Sequence, residues 1–439
     1  MQAEIFEKLK KDEIKFISLQ FADLFGVVKE IVIPVSKLED AIENGLWFDG
    51  SSIEGFARIH ESDLFLKPDL STYSVIPWIK GEGKTACFIC DIYSYNGKPF
   101  ERDARYILKK TISELRKENF EYNVGPEIEF YIFRREDTAK TLPMDQGSYF
   151  DLTSHEGYKF IKEVIISLRN FEINVETSHH EVGNGQYEID FKYGSALKIA
   201  DRLLKLKYTI KKIAQMYGLH ATFMPKPIMD APGSGMHVHQ SLIDTETGKN
   251  LFYNRRDKYK LSKIAYGFIA GQMKYVKEMC AILSPTVNSY KRLVSGFEAP
   301  CYITWGSMNR SSLIRVPKWL KKESARIELR CPDSSCNPYL AFAIMAKGGL
   351  EGIKNDLTPP NPIEENVYKM EESLINEKNI EVLPNSLWEA IEEMKSSKIV
   401  YETLGKSLFE KYIEIKTREW NEYKRQVTLW EIEKYMEMY

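Results

Sequence analysis

A segment with the character of a buried strand carries two glutamates. GPEIEFYIF covers residues 125–133, and its β-branched and aromatic residues after a Gly-Pro break predict a strand. Successive side chains of a strand point to opposite faces, so Glu127 and Glu129 share one face and the apolar residues share the other. Like charges on one face repel, and burying them unpaired costs several kcal/mol each. This face is therefore either solvated or in contact with positive charge.

The same alternation of apolar and ligand-type side chains recurs in other segments. The polar positions are His237, His239 and Ser241 in GSGMHVHQSL, Arg326, Glu328 and Arg330 in SARIELRCP, and Glu181 and Glu188, which bracket a glycine loop, in HHEVGNGQYEIDF. Taken singly, each has a plainer interpretation. A glutamate pair commonly faces water, alternate histidines are often only hydrogen-bonded, and an Arg-Glu-Arg face forms a salt-bridged stripe.

Taken together, these segments favour metal-assisted chemistry. Five carboxylates and one histidine are mostly oxygen donors, which suit Mg²⁺ or Mn²⁺ better than zinc. Arginines beside them suit the anionic oxygens of a substrate. No Walker loop is present, because GEGKTA at residues 81–86 lacks the required spacing. The residues alone predict a metal-assisted, ATP-using transferase or ligase and leave its acceptor open.

The elements that must position these residues fall into two parts. The first hundred residues contain mostly strand patterns, whereas DARYILKKTISELRKEN predicts an amphipathic helix capped by Asp103. This change places a boundary near residue 102, between an N-terminal domain of residues 1–102 and a catalytic domain of residues 103–439. Long helices follow, and the chain ends in a helical tail. Strands and helices do not alternate regularly, so the sequence predicts an α+β fold.

Composition narrows the class of protein. Of the 439 residues, 43% are hydrophobic and 12% aromatic, which indicates a folded chain with room for two domains. A net charge of -2 gives no reason to expect nucleic acid or an anionic membrane as a partner. The six cysteines favour buried reduced thiols, and we find no signal peptide or apolar run of membrane-spanning length. The sequence predicts a soluble cytoplasmic protein.

Several long motifs resemble one family. WFDGSSIEGF, GPEIEF, HHEVGNGQYE, FMPKP with GSGMHVH, KRLVSGFEAP, NRSSLIRVP and RIELRCPD with NPYLAFA occur in this order. Order and approximate spacing are similar to those of type I glutamine synthetases of the alpha subtype, over essentially the whole chain. The resemblance implies a small β-grasp-like N-terminal domain and a large catalytic domain with a curved antiparallel sheet plus helices. It also implies twelve subunits in two hexameric rings, active sites between neighbouring subunits, and a C-terminal tail that reaches the opposite ring.

The reaction that this resemblance implies is ATP-dependent ligation of ammonia to the γ-carboxylate of glutamate through γ-glutamyl phosphate. ATP is then a co-substrate, and two Mg²⁺ or Mn²⁺ ions bind per site. One ion is implied at Glu129, Glu181 and Glu188, and the second at Glu127, His237 and Glu328. The residues implied at the nucleotide and the transferring phosphate are Glu176, His239, Ser241, Arg310 and Arg315. Those implied at glutamate are Gly233, Arg292 and Arg330.

The resemblance also implies catalytic and regulatory residues. Asp49 resembles the aspartate that binds ammonium and helps to remove its proton. Glu298 resembles the flap glutamate that closes the site, and Arg310 completes the catalytic set. Arg58 resembles an arginine linked to feedback inhibition by glutamine, and regulatory proteins are further expected partners. Tyr368 is interpreted as an unmodified surface tyrosine.

The motifs depart from the family pattern at two places. Pro232-Gly233 replaces a common Asn-Gly, and Ser295 replaces a common proline of the flap. Two alternative functions stay open beside the glutamine synthetase reaction. The first alternative is a γ-glutamyl-amine ligase of the same fold that uses a polyamine. The second is a ring scaffold that binds regulators without catalysis.

Overall fold

The N-terminal part of the chain forms a mixed sheet. The computed structural model describes residues 2–56, 62–135, 142–296 and 299–439. The first elements are α1 (Gln2–Lys11), β1 (Phe16–Ala22), β2 (Val28–Pro34), α2 (Leu38–Glu43), β3 (Leu46–Asp49), β4 (Asp63–Pro68), β5 (Ser74–Val75) and β6 (Thr85–Ser94). The strands lie in the order β2-β1-β6-β4-β3, with β5 beside β6. β1 and β2 form an antiparallel pair, and β1 pairs with β6 in parallel.

The rest of the chain forms a second, larger sheet with most of the helices. Its strands are β7 (Phe120–Arg134), β8 (Leu142–Pro143), β9 (Val175–His180), β10 (Gln186–Phe191), β11 (Gly194–Ser195), β12 (Leu219–Thr222), β13 (Met236–Asp244), β14 (Trp305–Ser307), β15 (Ile314–Val316) and β16 (Ile327–Leu329). They lie in the order β14-β15-β16-β13-β7-β10-β9, and β8, β11 and β12 also pair with β7. The described pairings are antiparallel except for β14 with β15. The predicted α+β class is confirmed.

Helices cover the apolar face of this sheet and form the C-terminal end. They are α3 (Ala104–Arg116), α4 (His155–Asn170), α5 (Ala196–Met216), α6 (Lys263–Leu283), α7 (Ser289–Arg292), α8 (Pro338–Lys354), α9 (Glu372–Glu377), α10 (Leu387–Lys395), α11 (Lys398–Tyr423) and α12 (Leu429–Tyr435). Short 3₁₀ turns occupy Val35–Lys37, Leu70–Thr72, Gly81–Gly83, Lys322–Ser324 and Val367–Lys369. None of the helices in the described ranges has the length and apolar composition that a membrane span requires.

Alternation along β7 separates the core from the site. Ile128, Phe130 and Ile132 are fully buried in the large apolar cluster under the sheet, as the period of two predicts. A second apolar cluster lies within the N-terminal sheet around Leu19, Leu66 and Phe88. The polar face of β7 is therefore held in place by a packed layer behind it.

Glycine allows the two most apolar helices to approach closely. A Cβ atom at Gly271 of α6 would meet the carbonyl oxygen of Gly348, and one at Gly352 of α8 would meet that of Gly267. Any larger side chain at either position would push the backbones apart, and the buried residues around them would lose contact. This crossing fixes α8 beneath the sheet.

A buried ionic cluster joins the two parts of the chain. The guanidinium of Arg105 contacts Asp69 at 2.7 Å, Asp91 at 2.5 Å and Asp201 at 3.0 Å. Its side chain is 3% exposed, and Lys109 adds a second cation to Asp91 at 2.6 Å. Asp69 and Asp91 belong to the N-terminal part, whereas Asp201 belongs to α5. Because a buried pair that loses one partner costs about 3–5 kcal/mol, this cluster ties the N-terminal sheet firmly to α3 and α5.

Asp103 caps α3 as the sequence predicts, and it is itself buried. Its side chain accepts a hydrogen bond from the Arg105 backbone N–H at 3.0 Å. Its other oxygen, Oδ2, is buried without a hydrogen-bond partner among the described residues. Burial, with repulsion from Asp91, raises the pKa of Asp103 to about 7. The folded protein therefore holds a proton here that the unfolded chain releases near pH 4.

We expect Asp103→Asn to remove a pH dependence of stability. In the wild type, the stabilising protonated form is fully present below about pH 4 and is lost as the pH rises through about 7. The free energy of unfolding then falls by up to about 1.4 kcal/mol per pH unit over this window. Asparagine keeps a capping oxygen, so the variant should gain in thermal midpoint relative to the wild type between pH 5 and pH 8. An exposed control, Asp63→Asn, should keep a constant difference in thermal midpoint from the wild type across this pH range. The same constant difference in Asp103→Asn would contradict the raised pKa of Asp103.

Candidate active site

Three side chains from three strands converge on the polar face of the large sheet. Glu127 of β7 lies directly opposite His237 of β13, and β13 pairs with β16, which carries Glu328. One potential ligand atom from each of Glu127, His237 and Glu328 lies within 4.8 Å of the others. The structure thus brings together one of the two ligand sets that the sequence predicts.

The other predicted set is brought together in part. Glu129 of β7 lies directly opposite Glu188 of β10, and these two form a group with His237 within 4.8 Å. Glu181 does not belong to that group, but it lines the same small cavity as Glu129. Its carboxylate oxygen lies 3.7 Å from His179 Nδ1. His237 is therefore shared between the two clusters.

The Glu129–Glu188 pair is electrostatically unfavourable without a cation. Two glutamates directly opposite on adjacent strands repel each other. Burial, and then the charges of Glu188 and Glu181, raise the pKa of Glu129 well above its usual range. Burial and neighbouring carboxylates likewise raise the pKa of Glu188. Proximity of these acids to one another is therefore a cost to folding that a bound cation would remove.

Glu127 and Glu328 have positively charged or donating neighbours. Burial would raise the pKa of Glu127, but hydrogen bonds from His237 and His239 outweigh it and lower that pKa; His239 Nε2 lies 2.6 Å from Glu127 Oε1. Glu328 is 1% exposed, contacts Arg315 and lies 3.2 Å from Arg330 Nε. Burial opposes ionisation of Glu328 as well, yet nearby positive charge lowers its pKa. This cluster can therefore stay ionised inside the fold.

The donor set fits a hard divalent cation. The two clusters offer carboxylate oxygens and one imidazole, and their like charges are crowded in a buried position. Oxygen-rich sets of this kind suit Mg²⁺ and Mn²⁺, whereas structural zinc sites use more sulfur and nitrogen. The residues present thus fit the ions that the sequence predicts.

A cavity of about 380 Å³ adjoins the Glu127 cluster. Its lining includes the predicted nucleotide residues Glu176, His239 and Ser241, together with Glu127 itself. Pockets of this size hold small ligands. The structure therefore brings together residues from β7, β9 and β13 that the sequence places far apart.

The predicted glutamate residues line a smaller cavity of about 40 Å³. Gly233, Arg292 and Arg330 line it beside Glu129 and Glu181. Arg292 is 4% exposed and donates to the backbone oxygens of Cys331 at 2.9 Å and Arg330 at 3.1 Å. A Cβ atom at Gly233 would lie 2.7 Å from Arg292 Cγ, so only glycine allows this close approach. Two arginines beside acids form a compact site for a zwitterionic ligand.

Other predicted residues lie elsewhere or are not described. Arg315 contacts Glu328, while Arg310 is exposed and its backbone oxygen accepts a hydrogen bond from Arg330. Asp49 ends β3 in the N-terminal sheet, outside both cavities, and accepts a hydrogen bond from Ser51 N at 2.8 Å. Hydrogen bonds from Ser51 lower the pKa of Asp49. Glu298 and Arg58 lie outside the described residues.

The structure adds residues that the sequence analysis missed. His179 bridges two predicted ligands, since its Nε2 lies 3.1 Å from Glu188 and its Nδ1 faces Glu181. Gln186 donates to Glu129 at 3.3 Å and to the Gly233 oxygen at 3.0 Å. Tyr193 lines the larger cavity, as does Arg326, which the sequence analysis placed on the polar strand face without giving it a role. The HHE run and the Arg-Glu-Arg face contained a signal for His179 and Arg326, but no sequence pattern singled out Tyr193.

Comparisons with known proteins agree over nearly the whole chain. Residues 13–95 match a family described as the glutamine synthetase beta-Grasp domain, and residues 101–435 match the glutamine synthetase catalytic domain. Glutamine synthetases of Clostridium saccharobutylicum and Methanosarcina mazei are each 45% identical, covering 99% of this chain and 98% and 97% of theirs. That of Thermotoga maritima is 44% identical over 98% of both chains. A solved GmaS/ADP complex is 30% identical over 99% of both chains, with a TM-score of 0.90.

We expect Glu129→Gln to weaken divalent cation binding. The substitution removes one negative charge and one oxygen ligand from the buried cluster, so binding of Mn²⁺ should weaken at least about tenfold. Calorimetric titration of Mn²⁺ into metal-free protein measures this loss, and the rise in thermal midpoint on adding Mg²⁺ should shrink with it. Glu121→Gln is a matched control on the same strand, where Glu121 pairs with Arg116 at 2.9 Å. Equal Mn²⁺ affinity in the two variants would exclude Glu129 as a ligand.

Proposed function

The chain belongs to the glutamine synthetase family, and from this premise we propose how its residues join ammonia to the γ-carboxylate of glutamate. The protein is a glutamate–ammonia ligase that consumes ATP. The observation that carries the assignment of its site is the convergence of Glu127, His237 and Glu328 within 4.8 Å, beside a cavity large enough for a nucleotide. The same polar face holds arginines suited to an amino-acid substrate.

Members of this family use ATP with a divalent cation. We propose Glu127, His237 and Glu328 as ligands of one ion, and Glu129, Glu181 and Glu188 as ligands of another. Such ions, when bound, neutralise charge on the phosphates during phosphoryl transfer. The oxygen-rich donor set supports Mg²⁺ or Mn²⁺. His179 orients the second set, because it contacts both Glu181 and Glu188.

We propose that the larger cavity binds ATP and the smaller one binds glutamate. Glu176, His239 and Ser241 contact the nucleotide, and Arg292, Arg330 and Gly233 hold the amino acid. Glu127 of the first set lines the larger cavity, whereas Glu129 and Glu181 of the second set line the smaller one, together with His237. In this proposal the γ-phosphate and the γ-carboxylate meet between the two sets. Arg315 and Arg310 offset negative charge as the phosphoryl group moves. A carboxylate is a poor acceptor of an amine, whereas the acyl phosphate formed here has phosphate as a leaving group.

Asp49 and Glu298 are the proposed groups for the second half of the reaction. Asp49 binds ammonium, and an adjacent carboxylate stabilises that cation by charge attraction. Asp49 also accepts a proton from the bound ammonium, and the ammonia so formed attacks the acyl carbon of γ-glutamyl phosphate, from which phosphate leaves. Glu298 closes the site against water and accepts a proton from the adduct.

Assembly and organisation are further parts of this proposal. We propose twelve chains in two rings, with Asp49 supplied to a neighbouring site. Support comes from the position of Asp49 outside both cavities and from exposed apolar residues of the tail, such as Leu429 (76% exposed) and Met436 (70%). We also propose a domain boundary near residue 102, which the separate family matches at residues 13–95 and 101–435 support. We also propose a cytoplasmic location and a role of Arg58 in feedback inhibition by glutamine.

An assay of amine acceptors tests this function directly. Phosphate release that depends on ATP and glutamate should proceed with ammonium and yield glutamine. The polyamine alternative is not favoured, because the curated relatives named above are glutamine synthetases. Release with putrescine but not with ammonium would select that alternative. No release with any amine would indicate a scaffold.

We expect Asp49→Asn to impair the use of ammonium selectively. The variant keeps a hydrogen-bonding oxygen but loses the negative charge, so kcat/KM for ammonium should fall roughly 10²–10⁴-fold. Binding of ATP, measured by calorimetry, should remain within about twofold, because Asp49 lies outside the larger cavity. The control is Asp40→Asn, at an exposed aspartate of α2. Equal losses of ammonium use and ATP binding would contradict the role of Asp49.

A further inference from the structure

A third cavity lies between the N-terminal sheet and the helices α3 and α5. Its volume is about 530 Å³, within the range that holds small molecules. The N-terminal part contributes residues 71–74, and the catalytic part contributes Phe171 and one side of α5. It shares no lining residue with the two cavities of the active site. We call it the α5 cavity.

One face of α5 presents three cations to this cavity. Lys198, Arg202 and Lys205 recur at intervals of four and three residues and all line it, so they lie on the same side of the helix. Ser195, which precedes α5, forms no side-chain cap hydrogen bond. The uncapped N–H groups of the first turn add partial positive charge at the same end.

Lys205 is a buried cation whose hydrogen-bond acceptors are both neutral. It is 6% exposed, and its ammonium donates to Thr72 O at 2.8 Å and to Ser74 Oγ at 2.7 Å. Both acceptors are neutral, and the ring of Phe171 lies 5.6 Å from the ammonium. Within the described parts of the chain, Lys205 forms no ion pair. An ammonium has three donors, so a buried lysine with two neutral acceptors still has capacity for an anion.

The other charges of the cavity are largely paired among themselves. Arg105 and Lys109 contact the three carboxylates of Asp69, Asp91 and Asp201, which leaves one negative charge in excess in that group. Arg116 pairs with Glu121 at 2.9 Å. The cations of α5 are therefore left with Glu172, whose backbone oxygen accepts from Arg202 at 2.9 Å and whose carboxylate lies near the same guanidinium. Three cations against one carboxylate leave an excess of two positive charges on this side, and of one when the surplus carboxylate beside Arg105 and Lys109 is included.

We propose that the α5 cavity binds a small dianion, either a phosphate group or a dicarboxylate. Lys198 and Arg202 bind its oxygens from the rim, and Lys205 binds them from the floor. Such charge-assisted hydrogen bonds are about twice as strong as neutral ones. Because both parts of the chain line the cavity, the anion also stabilises their contact.

The test uses a variant of the two rim residues, Lys198→Gln with Arg202→Gln. Lys205 is left intact because it is buried and its loss would disturb the fold. The matched control is Lys162→Gln, an exposed lysine of α4 outside the cavity. Inorganic phosphate and succinate are titrated separately into the full-length protein by calorimetry. Thermal midpoints at the same anion concentrations give a second readout.

We expect the double variant to bind at least one of the two anions about tenfold or more weakly than the control does. Its midpoint without anion should equal that of the control, which shows that it is folded. Loss of phosphate binding alone identifies a phosphate ligand, and loss of succinate binding alone identifies a dicarboxylate. Phosphate that binds at the active site is unaffected by these substitutions. Equal affinities of the variant and the control for both anions would overturn the proposal, whatever the enzymatic activity.

Discussion

The active site depends on the electrostatic cost of placing Glu127 and Glu129 on one buried strand face, with Glu188 directly across from Glu129. Positively charged and hydrogen-bonding side chains offset this cost more fully at Glu127 and Glu328 than at Glu129 and Glu188. Two histidines contact Glu127, and two arginines lie beside Glu328. Glu188 contacts a single histidine, His179, and burial together with neighbouring carboxylates raises the pKa values of Glu129 and Glu188. The protein therefore keeps a strained acidic pair that favours cation binding, at the expense of the stability of the metal-free fold.

The apolar face of the same strand offsets this electrostatic cost. Ile128 and Phe130 are fully buried under the same segment, and burying such side chains contributes about 1.5–3 kcal/mol each. Both side chains belong to the large apolar cluster under the sheet, which forms a packed layer behind the strand. A site on this face consequently has little freedom to relax by moving its acids apart.

The alternation of apolar and polar residues in the sequence predicted much of the arrangement of the site. Period-two alternation correctly assigned the faces of β7, β13 and β16, and Asp103 caps α3 as its position predicts. What the sequence does not encode locally is register: the pairing of Glu129 with Glu188 depends on contacts between segments almost sixty residues apart. The same limit hid His179, whose two partners are recognised only once β9 and β10 are paired. No sequence pattern indicated a role for Tyr193, because exposed tyrosines are common on protein surfaces.

Asp49 shows a different limit, because its proposed role depends on another copy of the chain. The residue ends an edge strand of the N-terminal sheet, and its neighbour Trp47 is 54% exposed. Asp49 lies outside both cavities, so in the proposed mechanism a second chain brings its carboxylate to the site where that carboxylate binds ammonium. In the proposed ring, then, burying the apolar surface of one subunit would complete the active site of the next. Assembly and ammonium binding would share one interface, so a chain folded alone could retain its nucleotide cavity and still lack the acid that receives the amine.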